Sequence, residues 1–266
     1  MKIVLVRGPH LNPWELQSFA PLGRRHQLTA VGADWQFYRK EIQARGIALR
    51  RAHVWGAGLG HISPRLPVYF NKALSWTAGM SFGLTDLEKV VPEADILHSV
   101  EMYWTMTHQC LSLGRRRGAK VVATVWENLP RMGERHPWRC RLKRRAIREM
   151  DGVLAVTETT RRLMIEEGFS KDKAAVIPMA VDLDRFRPLV KDPALLRRLG
   201  VSPGDVVVLF IGRLVSEKGV PDLLRAIPRV LEKAGTLPIK FVFAGDGPLD
   251  RTLKSVVAPH PRRTFS

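Results

Sequence analysis

The residues best placed to do chemistry lie at positions 210–219, which read Phe-Ile-Gly-Arg-Leu-Val-Ser-Glu-Lys-Gly. An apolar run ends at Ile211, Gly212 permits a tight turn, and two cations, Arg213 and Lys218, follow five positions apart. Gly219 then opens a segment with helical periodicity. If the apolar run is a parallel strand, this order gathers two cations and the free N–H groups of a helix start at its carboxyl end. Such a cradle suits a diphosphate, whose charge is met by fixed cations and by the positive end of the helix. The same residues also fit a plainer reading, in which Arg213 and Lys218 are solvated loop charges. Other chemistry is sparse. The eight histidines are scattered without an HExxH spacing, and Cys110 and Cys140 are the only cysteines. Neither a metal site nor a disulfide framework is expected, and the cysteine usage fits a reducing cytosol.

The elements that must position these residues can be read from hydrophobic patterning. Strands are expected at Lys2–Val6, Gln27–Val31, Ile47–Ala52, Asp95–His98, Lys120–Val125, Gly152–Val156 and Ala174–Ile177. Several are unbroken apolar runs, as in a parallel sheet covered on both faces. Helix-length stretches lie between them, including Met102–Arg117, Pro137–Met150 and Thr157–Gly168, the last with Thr157 as N-cap and Gly168 as stop. This alternation predicts a doubly wound α/β domain over residues 1–186. A linker is expected at 187–203. A second unit follows at 204–266, with strands Val206–Ile211 and Ile239–Ala244 and a helix over Gly219–Lys233. With two strands, this unit reads as half of a Rossmann-like domain with an open flank. The expectation is a fragment, a truncated gene product, or a unit that another chain completes.

Composition narrows the class. The chain has 266 residues, 45% hydrophobic and 26% charged, which suits folded domains and excludes a disordered chain. No apolar run approaches the roughly 18 residues of a membrane span, and the first strand is too short for a signal peptide. The net charge of +18 is uneven. Residues 1–150 hold 24 basic and 11 acidic side chains, and residues 151–266 hold 19 and 14. Such a field favours a polyanionic partner: nucleic acid, an anionic membrane, or a phosphate-bearing substrate. No helix-turn-helix, zinc-finger or RNP signature occurs, so a basic nucleic-acid-binding protein ranks well below the other readings.

Residues 212–226, Gly-Arg-Leu-Val-Ser-Glu-Lys-Gly-Val-Pro-Asp-Leu-Leu-Arg-Ala, resemble the nucleotide-sugar half of retaining glycosyltransferases of family 4, the group 1 glycosyl transferases of GT-B fold. Phe243-Ala244-Gly245-Asp246-Gly247-Pro248-Leu249 looks like the next landmark of that family. Asp151–Thr157 and Val176–Pro188 look like the end of its first domain. The resemblance implies two Rossmann-like domains facing across a cleft, the first taking an acceptor and the second a nucleoside-diphosphate sugar. It implies transfer of the sugar with retention to a lipid-linked, glycan or small-molecule acceptor. Arg213 and Lys218 match the family's basic pair, expected to stabilise charge on the departing diphosphate without a metal or other cofactor. Gly212 matches the close-approach glycine, and Gly245 and Gly247 are expected to line the nucleotide pocket. Gly8, at the end of the first strand, is a further donor-side candidate.

The sequence also departs from the family pattern. The glycine-rich loop after the first strand reads Gly8-Pro9-His10-Leu11-Asn12-Pro13, and Trp126-Glu127-Asn128 stands where a histidine is usual. On the acceptor side the candidates are His98, at a strand end, and Glu127. Alternatives are a packed or capping histidine, and a Glu127 that caps a helix or pairs with Arg131. The later acidic pair of the family is absent from these residues, so a catalytically inactive glycosyltransferase remnant is the main competing reading. The stretch 131–149 carries eight basic and two acidic residues. As a helix it places Trp138, Leu142, Ala146 and Met150 on one face. It either lies on an anionic membrane or covers the sheet with a solvated arginine face. The expected location is the cytoplasm, with peripheral attachment to the inner face of the membrane as the extension of the first alternative.

Overall fold

The computed structural model describes residues 1–33, 39–63, 66–81, 83–131, 136–257 and 263–265. The chain divides into two compact units, Met1–Phe186 and Arg187–Ser266.

The first unit runs β1 (Lys2–Gly8), α1 (Pro13–Leu16), β2 (Gln27–Gly32), α2 (Arg39–Gln43), β3 (Ala48–Arg51), α3 (Leu66–Thr77), α4 (Leu87–Val90), β4 (Ile96–Val100), α5 (Thr105–Arg117), β5 (Lys120–Val125), α6 (Pro137–Glu149), β6 (Gly152–Ala155), α7 (Glu158–Glu166) and β7 (Ala174–Val176). The seven strands form one parallel sheet in the order β3-β2-β1-β4-β5-β6-β7. Strand β1 is central and buried on both faces. Val4 and Val6 join a core with Leu97, Val121, Met106 and Ala146, while Ile3 and Leu5 join another with Leu28, Leu16 and Ile42. The edge strand β3 carries Arg50 and Arg51, charges that blunt an open edge. The order reverses between β1 and β4, and in such sheets ligands bind outside the carboxyl ends of the strands at that point.

Local signals set the helix ends. Asn12 Oδ1 accepts from the Glu15 N–H at 3.0 Å with Pro13 in the first turn, and Thr157 Oγ1 accepts from the Thr160 N–H at 3.0 Å. Helix α5 starts at Thr105 rather than Met102, because Glu101 turns into the left-handed region (φ 53°) and Met102 is buried behind it.

The second unit holds α8 (Pro193–Arg198), β8 (Val206–Ile211), α9 (Val220–Ala234), β9 (Ile239–Ala244), α10 (Asp250–Val257) and β10 (Arg263–Phe265). Helix α8, capped by Asp192, occupies the stretch read as a linker. The parallel sheet has the order β10-β9-β8, so a third strand joins the two expected. Its core is Leu214, Val220, Ile227, Phe241, Phe243 and Leu253. Strand β8 pairs only with β9 among the described residues, and Val206–Leu209 and Ile211 are exposed.

Candidate functional site

At the carboxyl end of β1, Arg7 is 1% exposed. Its Nη1 donates to the carbonyls of Val6 (3.2 Å) and His98 (3.1 Å), and its Nη2 to His98 Nδ1 (2.9 Å). A guanidinium can only donate, so His98 Nδ1 accepts and the ring proton sits on Nε2, 3.2 Å from Thr124 Oγ1. Burial, reinforced by the Arg7 charge, holds the His98 pKa well below the ordinary histidine value and keeps the ring neutral. His98 thus sits within β4, not at a strand end, and links Arg7 to Thr124 from beneath the surface. Burial lowers the Arg7 pKa to about 10, against the pull of Glu15, and the guanidinium stays charged at neutral pH. Glu15 Oε2 lies 3.7 Å from Arg7 Nε, and the guanidinium stacks 5.3 Å from the Phe19 ring centroid. A cavity of about 190 Å³ lies beside this group, lined among others by Arg7, Glu15, Ser18, Phe19, Thr124 and Trp126. Gly8 follows with φ +52°, and a Cβ there would meet Met106 Sδ at 3.0 Å.

A second polar group stands at the ends of β4 and β5. Glu127 is 3% exposed, and Lys143 Nζ bonds its Oε1 at 3.0 Å and Glu167 Oε2 at 2.5 Å. Burial works against the ammonium, but the bonds to Glu167 and Glu127 outweigh it and raise the Lys143 pKa. Glu127 is therefore a buried carboxylate paired with Lys143, while the Arg131 N–H donates to Glu167. Nearby, Glu101 Oε1 accepts from the Trp126 N–H at 3.0 Å. Burial pushes the Glu101 pKa up to about 7, opposed by that hydrogen bond and raised further by Glu127. The tertiary fold alone reveals Glu101 and Lys143, since Lys143 sits in a run of cations on a helix and Glu101 in a short turn among apolar and aromatic residues. Arg7 had a visible signal: a cation closing an otherwise apolar strand.

In the second unit, β8 ends at Ile211 and Gly212 adopts φ +156°. The Gly212 N–H donates to Ala244 O (3.0 Å), the Leu214 N–H to Asp246 O (2.8 Å), and the Leu249 N–H to Leu214 O (3.1 Å). The loops after β8 and β9 are thereby laced together over buried Leu214. A Cβ on Gly245 would stand 1.9 Å from Gly212 O, and one on Gly247 2.5 Å from Leu214 O. Both glycines serve this close packing of backbone on backbone. Ser216–Lys218 forms a short 3-10 turn, and Gly219 (φ +73°) opens α9. Arg213 and Lys218 are both exposed and, among the described residues, form no ion pair. The structure brings Gly212, Arg213, Lys218, Gly245 and Gly247 into one laced pair of loops at the carboxyl ends of β8 and β9. Gly8 and His98 belong to the first unit's site, and Glu127 to its internal ion cluster.

Helix α6 buries Leu142, Lys143 and Ala146, with Met150 buried at its C-cap, and turns Arg141, Arg144 and Arg148 outward. Of the face expected to meet a bilayer, Leu142, Ala146 and Met150 are buried, whereas Trp138 is half-exposed. Residues 132–135 of the basic stretch lie outside the described residues. Among the described residues no helix is long and apolar enough to cross a membrane.

The family model described as Glycosyltransferase Family 4 matches residues 22–185, and that described as Glycosyl transferases group 1 matches residues 205–265. The phosphatidylinositol N-acetylglucosaminyltransferase GPI3 subunit of Saccharomyces cerevisiae is 26% identical over 227 residues, covering 80% of this chain and 48% of that protein. A D-inositol 3-phosphate glycosyltransferase of Geodermatophilus obscurus is 34% identical over 147 residues, covering 52% of this chain and 32% of the relative. The chain thus spans about half the length of the yeast relative. Among solved structures, Anabaena HepE in complex with UDP and glucose superposes with a TM-score of 0.68 at 16% identity, covering all of this chain and 68% of that one. The UDP-GlcNAc 2-epimerase of Methanocaldococcus jannaschii superposes with 0.57 at 11% identity, covering 100% and 73%. At these identities the likeness establishes the fold and not the reaction. With one family model covering more than half of the chain and a second lying on the loops of β8 and β9, the chain belongs to the family 4, group 1 glycosyltransferases, of α/β GT-B fold.

Proposed function

We propose that the protein transfers a sugar from a nucleoside-diphosphate sugar to an acceptor, with retention at the anomeric carbon. The second unit holds the donor and the first the acceptor. The observation that carries this is the laced loop pair, which presents Arg213, Lys218 and the start of the 15-residue helix α9 at the carboxyl end of a parallel strand. As the bond from sugar to diphosphate lengthens, negative charge gathers on the departing oxygen. Cations fixed by the loop stabilise that charge without solvent having to reorganise. Gly245 and Gly247 act by holding the loops together, and Gly212 by letting the backbone come close. No metal or further cofactor enters this scheme. Support comes from family membership and from a fold shared with a protein crystallised with UDP and glucose.

The acceptor class is open to lipids, glycans and small molecules. Relatives named for phosphatidylinositol and for inositol 3-phosphate support a polyol-bearing acceptor. We also assign contact with an anionic membrane surface, from the cytoplasmic side, to Arg141, Arg144 and Arg148 on the outer face of α6, beside half-exposed Trp138.

The test is turnover and binding of UDP-glucose and UDP-N-acetylglucosamine by the full chain and by an Arg213→Ala/Lys218→Ala variant. The expected result is donor binding that the variant weakens at least about a hundredfold, the loss of two charge-assisted contacts. Equal binding by both proteins rejects the assignment. A folded chain that neither binds nor turns over donor supports an inactive remnant.

A further inference from the structure

The cavity beside Arg7 holds an unusual set of atoms. Arg7, Glu15 and Ser18 all line it, and their Nε, Oε2 and Oγ atoms are buried with no hydrogen-bond partner among the described residues. Buried polar groups are nearly always satisfied, and each one left unmade is costly. Three such atoms around one cavity mark a place where a polar ligand completes the bonding.

The atoms also specify the ligand's chemistry. Arg7 Nε can only donate, a carboxylate such as Glu15 can only accept, and a serine hydroxyl can do either. Glu15 lies 3.7 Å from Arg7 Nε, so the cation already has its counter-charge. An anionic ligand would meet the Glu15 carboxylate, and a cationic one the Arg7 guanidinium. Hydroxyl groups answer both, accepting from Nε and donating to Oε2. Thr124 adds a further hydroxyl whose lone pair is taken by His98 Nε2–H at 3.2 Å, leaving its own proton for a ligand. Phe19 and Trp126 supply apolar walls for the C–H faces of a ring. About 190 Å³ equals the share of roughly six waters at ~30 Å³ each, the room of one six-membered ring with its hydroxyls.

We propose that this cavity binds a single neutral polyhydroxylated ring, a hexose or cyclitol unit, through Arg7 Nε, Glu15, Ser18 and Thr124. Its identity as the acceptor's ring rests on the transfer reading above; its binding does not. His98 is a positioning residue that holds Arg7 and Thr124 in place.

The probes are myo-inositol, glucose and inorganic phosphate, added separately to the full chain. Saturation-transfer NMR and calorimetry read the binding. The expected result is that a polyol binds and phosphate does not. Glu15→Gln, which keeps the shape, weakens polyol binding about tenfold, the scale of one charge-assisted hydrogen bond. Ser18→Leu, which fills the cavity, abolishes it while the circular dichroism spectrum stays unchanged. No polyol binding, phosphate binding in preference, or polyol binding unchanged by both substitutions overturns the proposal. Polyol binding in a chain that fails to bind nucleotide sugar upholds the cavity and strikes only the transfer reading.

Discussion

Glu101 concentrates several costs in one side chain. It is 6% exposed, its backbone lies at φ 53°, and its carboxyl shares a buried region with Glu127. Its pKa in the fold is about 7 against an ordinary 4.5, so between those values the folded chain holds a proton that the unfolded chain has lost. Stability therefore falls as pH rises from about 4.5 to 7. Glu101→Gln keeps an acceptor for the Trp126 N–H and removes the ionisation. We expect it to stabilise the protein at pH 8 by on the order of 3 kcal/mol relative to wild type, with little effect at pH 4.5. Urea unfolding at the two pH values measures this, and parallel pH profiles would refute it. Lys143 makes the complementary case. Lys143→Met takes the ammonium away from buried Glu127 and largely buried Glu167, and the expected loss is about 3–5 kcal/mol at pH 7, read by thermal melting. The distinct fates of Glu127 and Arg7 could not be read from sequence. One lies four positions before Arg131 in the chain but bonds Lys143 sixteen positions on, and the other meets His98 across 91 positions.

The informative unit at the scale of elements is the strand-to-helix loop. In the first unit, the turn at Gly8 and the cap at Asn12 place Glu15 and Ser18 beside the end of β1. In the second, two loops are bonded into one layer at Gly212, Leu214 and Leu249. Gly245→Ala sets a methyl 1.9 Å from the Gly212 carbonyl, where backbone rather than a flexible side chain must give way. We expect destabilisation of at least about 2 kcal/mol by thermal melting and a matching loss of donor affinity. Gly204→Ala is the control, because a Cβ there meets nothing within 4 Å and its backbone lies outside the left-handed region. Element type and order were plain in the sequence: Lys120–Val125, Val206–Ile211 and Ile239–Ala244 are strands end to end as their apolar runs indicate. The short β10 was not, since Arg263–Phe265 has too few residues to show a period.

For the whole chain, charge is the dominant property. The net +18 is carried mostly by residues 1–150, and the arginines of α6 turn outward once its apolar face is packed on the sheet. Binding to an anionic surface must then be electrostatic and salt-sensitive. We expect co-sedimentation with vesicles of phosphatidylcholine and phosphatidylglycerol, little with phosphatidylcholine alone, and at least a tenfold loss for Arg141→Glu/Arg144→Glu/Arg148→Glu at about 1 kcal/mol per charge. Equal binding to both vesicles would reject this surface. The sequence by itself determined the α/β class, the strand order of events along the chain and the cation-bearing loop, because periodicity, glycines and charge are local properties. Only the tertiary structure decided which polar groups are spent inside the protein and which are left to line a cavity. Glu127 and His98 were drawn into buried networks, while Arg7 Nε, Glu15 Oε2 and Ser18 Oγ were left, among the described residues, with unmet hydrogen bonds around one cavity. Burial and pairing depend on residues brought together from distant positions, and no local pattern encodes them.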